Sequence, residues 1–187
     1  MFPEIRTPTV KQAEILVVDD EPANLQLLAG ILNSYGHKVR VAANGEMALR
    51  SMCVTPPELV LLDVCLPDLD GYEVCRRIKA DPVSNHVPVL FVTALSAAEE
   101  KVKAFASGAT DYITKPFLIP EILARIAAHL TMSRSQRDLN ERQCHQDIML
   151  QRQSAQLARA QGAIVFAMAQ LAEARDPDIQ EHLERVR

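Results

Sequence analysis

With 187 residues, 48% of them hydrophobic, the chain can bury one full core and leave something over, so one compact domain plus an appendage is expected. A formal net charge of -4 without a basic cluster excludes a general nucleic-acid or anionic-membrane surface. Residues 1–12 hold Pro3, Pro8 and mixed charges rather than the apolar core of a signal peptide, and no later apolar run approaches membrane-spanning length. The chain is therefore read as cytoplasmic, with a flexible N-terminus. Its four cysteines, at 53, 65, 75 and 144, form no Cys-x-x-Cys pair and are read as free thiols.

Residues 14–19, Glu-Ile-Leu-Val-Val-Asp, form an aliphatic run ending in acid, doubled as Asp19-Asp20 with Glu21 behind it. Pro22 suits the first turn of a helix in which Leu25, Leu28 and Leu32 share a face, and Tyr35-Gly36 stops it. A strand at Lys38 to Ala42 and a helix opened by Asn44-Gly45, with Met47, Ala48 and Met52, lead to Leu59-Val-Leu-Leu-Asp63. Four aliphatic residues in a row leave no solvated face, so this strand is expected to be buried on both sides, at the centre of a parallel sheet. Pro67 to Gly71 is turn chemistry, and Tyr72 to Ala80 is a helix with Val74 and Ile78 inward, ended by Pro82. Val87 to Thr93 is the fourth strand, and Ala97 to Ser107 a helix with Val102 and Phe105 inward, closed by Gly108. Asp111 to Thr114, the fifth strand, runs into Lys115-Pro116-Phe117. Strands alternating with helices, joined by right-handed crossovers, predict a doubly wound α/β fold with helices on both faces of a five-stranded parallel sheet.

The tail differs in kind. Beyond Pro120 there is no proline until Pro177, and from residue 131 to the end eight acids balance eight bases, all of them arginine. Leu150, Leu157, Ile164 and Leu171 recur every seven residues, with Ala160, Ala167 and Ala174 three residues later: a heptad seam. Gln153 interrupts the small-residue series, and Met132 and Leu139 are read as belonging to another phase. Two readings stay open, a dimerising coiled coil and an amphipathic helix folded back on its own domain.

Strand ends of a parallel sheet converge, so Asp19, Asp20, Asp63, Thr93 and Lys115 should line one crevice. Three crowded carboxylates repel one another, and all-oxygen ligands favour a hard cation such as Mg²⁺. A carboxylate beside it can attack phosphorus, with Lys115 pairing to the phosphoryl oxygens and the Thr93 hydroxyl donating to them. One such acid alone would be an ordinary cap or turn residue.

Ile15-Leu-Val-Val-Asp-Asp-Glu-Pro22, Leu61-Leu-Asp63 with Pro67 and Asp70-Gly71 following, Val92-Thr-Ala94 and Tyr112-Ile-Thr-Lys-Pro-Phe117 together resemble the receiver domain of two-component response regulators. The resemblance covers residues 13–130 and implies a flavodoxin-like sheet in the order 2-1-3-4-5. It makes Asp63 the phosphoacceptor and assigns Mg²⁺ to Asp19, Asp20, Asp63 and the Cys65 backbone carbonyl. Thr93 with Ala94, and Lys115, become phosphoryl contacts, and Tyr112 the aromatic that moves inward with the threonine. The implied partner is a sensor histidine kinase or phosphotransfer protein, with a homodimer through the helix over 131–175 and no nucleic-acid or membrane partner.

Three competitors are weighed. Haloacid-dehalogenase-type phosphatases need a second aspartate where this chain has Cys65. A DNA-binding output is not expected, since the 57 residues after Leu130 carry no helix-turn-helix pattern and no basic face. Residues 163–177 and Glu181-His182-Leu-Glu-Arg-Val186 resemble the opening of an HD-GYP cyclic di-GMP phosphodiesterase domain. The stub 176–187 lacks that family's His-Asp and Gly-Tyr-Pro motifs and has Ile179-Gln180 where a Thr-Gly pair is usual. The chain is read either as the N-terminal part of such a regulator or as a shortened one whose helix serves assembly, with no hydrolysis of its own.

Overall fold

The computed structural model describes residues 12–94, 98–116 and 118–175. The expectations for residues 1–11, Ala97, Phe117 and the stub 176–187, with Glu181, His182 and Glu184, lie outside these. Five strands, β1 (Glu14–Val18), β2 (Lys38–Ala42), β3 (Leu59–Leu62), β4 (Val89–Thr93) and β5 (Asp111–Thr114), alternate with five helices. These are α1 (Pro22–Ser34), α2 (Gly45–Val54), α3 (Gly71–Ala80), α4 (Ala98–Ala106) and α5 (Ile119–Arg175). The strands form one parallel sheet in the order β2-β1-β3-β4-β5. This is the flavodoxin-like, doubly wound order, with its switch point between β1 and β3.

Period-2 alternation divides the strand residues between two cores. Leu16, Val18, Val60, Leu62, Val89 and Phe91 pack with Ala48 and Met52 of α2, Val74, Cys75 and Ile78 of α3, and Ala104 of α4. Ile15, Val17, Leu59, Leu61, Leu90, Val92 and Ile113 pack with Leu28 and Leu32 of α1 and with Ile122, Leu123, Ile126 and Leu130 of α5. Every residue of β3 is buried, as four consecutive aliphatics require. Each such leucine removed from water contributes about 1.5–3 kcal/mol.

Local chemistry sets the element ends. Pro22 occupies the first turn of α1, where a missing N–H costs nothing. Asn44 caps α2 by accepting from the Met47 N–H at 2.8 Å, and Asp70 caps α3 by accepting from the Tyr72 N–H at 3.0 Å. Gly36 and Gly108 adopt φ of 85° and 89° just past α1 and α4, a region that favours glycine.

Two expectations need correction. Val102 and Phe105 face outward, 68% and 52% exposed; among the described side chains from Val102 to Ser107, Ala104 and Ser107, three apart, are the buried ones. Small side chains bring α4 close to the sheet, and the bulkier ones are left outside. On α2, Ala48 and Met52, four apart, face the core and Met47 is exposed, a division that sequence reading does not make. The fourth strand begins at Val89 rather than Val87, since Pro88 has no N–H for the ladder and offers only its carbonyl, to the Val60 N–H at 2.9 Å.

The chain divides into two compact units, one ending at Gln136 and the other starting at Arg137. In the first, α5 is held beyond Leu130 by Arg134, which donates to the Glu58 carboxylate at 2.7 Å and to the Gln12 carbonyl at 3.0 Å. In the second, the described side chains are exposed along the helix. No helix among the described residues is long and apolar enough to cross a membrane.

Candidate functional site

The carboxyl ends of the strands carry the predicted residues. Asp19 follows β1 and Asp63 follows β3, Thr93 ends β4 and Lys115 follows β5. The ladder runs one step past the strands. The Asp19 N–H donates to the Ala42 carbonyl at 3.2 Å, the Asp63 N–H to Val18 at 2.8 Å, and the Lys115 N–H to Thr93 at 2.7 Å. Backbone bonding thus fixes each functional residue before its side chain makes any contact.

Lys115 Nζ bridges Asp19 Oδ2 at 2.8 Å and Asp63 Oδ2 at 2.6 Å. Asp20 completes a group of three carboxylates whose ligand oxygens lie within 4.8 Å of one another; Asp19 and Asp63 are buried and Asp20 is exposed. The Cys65 N–H donates to Asp63 Oδ1 at 3.3 Å, and Cys65 itself is exposed. Thr93 is buried one strand over from Asp63, with Ala94 exposed beside it. Tyr112, half-buried on β5, sets its ring edge-on to Phe105 at 6.0 Å.

Burial pushes the Asp63 carboxyl above the ordinary aspartate value; the Lys115 hydrogen bond and charge oppose this, and the neighbouring Asp19 adds to it. Burial alone would lower Lys115, but its bonds to Asp19 and Asp63 outweigh that and hold the ammonium above its usual value. The ammonium of Lys115 thus sits against the carboxylates of a negative pocket as its one bridging cation. An all-oxygen set with one exposed member fits Mg²⁺, which takes few carboxylates and keeps several waters.

A family model for the response regulator receiver domain matches residues 15–127. The chain belongs to this family. A Vibrio cholerae protein named a probable cyclic di-GMP phosphodiesterase is 39% identical over 176 residues, 94% of this chain and 40% of that protein. The response regulator PleD of Caulobacter vibrioides is 40% identical over 114 residues, 61% of this chain and 25% of PleD. The chain thus spans well under half the length of these relatives. Among solved structures, NtrX from Brucella abortus is similar with a TM-score of 0.65 at 34% identity, covering 70% of this chain and 29% of NtrX. The receiver domain of a signal transduction histidine kinase from Syntrophus aciditrophicus has a TM-score of 0.61 at 34% identity, covering 64% of this chain and 90% of that one.

The receiver site also uses residues that sequence reading passed over. The Asn24 amide donates to both Asp19 oxygens at 3.1 Å and to Glu21 at 3.0 Å, so the first turn of α1 orients the Asp19 carboxylate. Its spacing, five residues past Asp19 and one turn before the buried Leu28, is the sequence signal for it. Asp68, expected to be a turn residue, accepts from the Gly45 and Glu46 N–H groups at 2.9 Å each. The Glu46 N–H, with that of Gly45, holds its carboxyl below the usual range. The loop after β3, which carries Cys65, is thereby tied to the start of α2. Gly71 lies so close to the Asp63 carbonyl and Val64 that any Cβ would collide with backbone.

Proposed function

We propose that Asp63 accepts a phosphoryl group from a sensor histidine kinase or phosphotransfer protein. An Asp63 oxygen attacks phosphorus, the phosphorus–nitrogen bond of the donor phosphohistidine breaks, and the imidazole departs to leave an acyl phosphate. Lys115, which already spans Asp19 and Asp63, supports this most directly: a fixed ammonium is placed where phosphoryl oxygens would arrive. Asp19, Asp20, Asp63 and the Cys65 carbonyl would hold Mg²⁺, with Asn24 orienting Asp19. Bound there, Mg²⁺ supplies neutralisation of the phosphoryl charge. Thr93 donates its hydroxyl to a phosphoryl oxygen, with Ala94 beside it, and Tyr112 follows the threonine as the element with two positions. The unit over residues 13–130 acts as the switch, and the helix over 131–175 carries the output by pairing with a second copy in a cytoplasmic protein.

A second reading has its own support. Similarity to the Vibrio cholerae phosphodiesterase extends past residue 127 into the helix, so the chain also fits the regulatory N-terminal part of a longer HD-GYP phosphodiesterase. In either reading these 187 residues hydrolyse no cyclic di-GMP themselves.

Intact-mass analysis after incubation with a small acyl-phosphate donor tests the site. Wild type gains one phosphoryl mass only with Mg²⁺, and Asp63→Asn gains none. Equal labelling of the variant would remove Asp63 from the role.

A further inference from the structure

We infer that the long helix pairs with a second copy of this chain in parallel and in register, with Arg142 of each copy set against Asp147 of the other. This rests on the dimer reading above and adds its direction and alignment. Leu139, Leu150, Leu157, Ile164 and Leu171 all project from α5, each between 56 and 69% exposed. One heptad frame takes them all. With Leu150 at a, Leu139 falls at d, in the companion series of Ala160 and Ala167, so the earlier phase assignment does not hold. Gln143 at a, and Gln146 and Gln153 at d, fill the layers between the apolar ends. The leucines and Ile164 of the seam keep to a and d, flanked by Met149 at g and Met168 at e, apolar positions that a second helix would also cover.

Alignment follows from the glutamines. In register, each Gln143, Gln146 and Gln153 meets its own copy and the amides can bond to each other. A shift of one heptad keeps one pairing, Gln146 against Gln153, but sets one copy's Gln143 against Leu150, Gln146 against Leu139 and Gln153 against Ala160, leaving those buried amides without partners. Direction follows from charge. Between Leu139 and Leu171 the e and g positions flanking the seam hold only two charged residues, Arg142 at g and Asp147 at e. A parallel pair sets g of one helix against e of the next heptad in the other, five residues on, and that is the separation of Arg142 and Asp147. Symmetry makes the contact twice. Antiparallel pairing opposes g to g and e to e and never brings these two together. Within one helix, five residues turn about 140°, so the two do not face each other in their own chain. Val165 and Phe166 stand off the seam, and this pairing does not cover them.

Two measurements on the full chain separate the layers of the claim. Light scattering at micromolar concentration gives the dimer. With Cys53, Cys65 and Cys144 changed to Ser, Gln143→Cys then closes a disulfide across the seam on mild oxidation, whereas Ile148→Cys, on the outer face, does not. Arg142→Asp or Asp147→Arg alone weakens the dimer about tenfold, and the double exchange recovers most of the loss. A dimer that neither cross-links at 143 nor recovers in the double exchange would overturn the parallel register and leave the dimer standing. A monomeric wild-type chain would remove the dimer reading itself.

Discussion

Leu28 and Leu157 are the same residue on two helices, and they live in different worlds. Leu28 is 1% exposed, packed between α1 and the sheet, while Leu157 is 65% exposed on α5. The contrast holds across the two units. Residues up to Gln136 bury apolar side chains on both faces of a sheet and pair most of their interior charges. From Arg137 on, the described side chains of the helix are exposed. Isolated helices are marginal in water, and most helical stability in proteins comes from tertiary packing of one face. The receiver thus has its own packed contacts, and the exposed apolar residues of the helix from Arg137 on are the ones the proposed pairing would cover. The three tyrosines, at 35, 72 and 112, all lie in the first unit, so tyrosine signals report the receiver alone.

The largest effects should come from the receiver interior. Leu28→Ala leaves a cavity that α1 and the sheet can only partly close, and should cost about 2–5 kcal/mol in urea unfolding followed by tyrosine near-UV circular dichroism. Gly71→Ala should cost about 1–3 kcal/mol, because the added methyl meets the Asp63 carbonyl and Val64 backbone rather than a movable side chain. Phosphoryl uptake should fall as well, since the displaced backbone is that of Asp63 itself. A variant as stable and as easily labelled as wild type would show that the contact relaxes freely.

Smaller still is the clamp at the opposite edge of the sheet. Arg134→Ala removes bonds to Glu58 and Gln12 and should cost about 1–2 kcal/mol, leaving the site at the other edge able to take phosphate. Chains ended after Leu130 and after Gln136 sharpen the point, since only the longer keeps the clamp. Equal stability of the two would place the end of the receiver at Leu130.

What was legible in the sequence follows the same division. The uninterrupted aliphatic run of β3 leaves one burial, β2 and β5 begin and end where the alternation with helices and turns places them, and the five strand-end residues follow from topology. Asp63, Asp19 and Lys115 meet because the sheet forces them to. Asn24 and Asp68 were not legible, because each acts on a backbone or carboxylate that only the folded loops bring within reach. The face of α4 was misjudged because bulk was taken as a guide where Ala104 and Ser107 allow closer approach. In the tail, periodicity gave a face but nothing to set against it, which is why the helix is plain and its partner has to be inferred.

Acid should act on the receiver through His37. Its ring is 8% exposed, and Nδ1 has no hydrogen-bond partner. Burial holds its pKa below the ordinary histidine value, the Arg134 charge adds to this, and Glu58 opposes it. A depressed folded-state value means the fold favours neutral histidine. The contribution is complete above the unfolded pKa of about 6.5 and is lost as pH falls through the folded value. Stability measured from pH 8 to pH 5 should therefore decline in wild type and flatten in His37→Gln. Arg134→Ala should flatten it in part, by removing the like charge. An identical slope in all three proteins would assign the acid sensitivity elsewhere.

The smallest effect is the other half of the leucine comparison. Leu157→Ala deletes the same atoms as Leu28→Ala, but from a side chain already in water, so no cavity forms and no buried group is orphaned. Receiver unfolding, read from the tyrosines, should stay within about 0.5 kcal/mol of wild type, the usual span for surface changes away from special features. The dimer should weaken in the same protein, because Leu157 lies at the centre of the apolar half of the seam, between Leu150 and Ile164. A drop in receiver stability comparable to that of Leu28→Ala would mean that the tail leucines are covered by the chain's own receiver, returning the amphipathic helix folded back on its domain as the better account of α5.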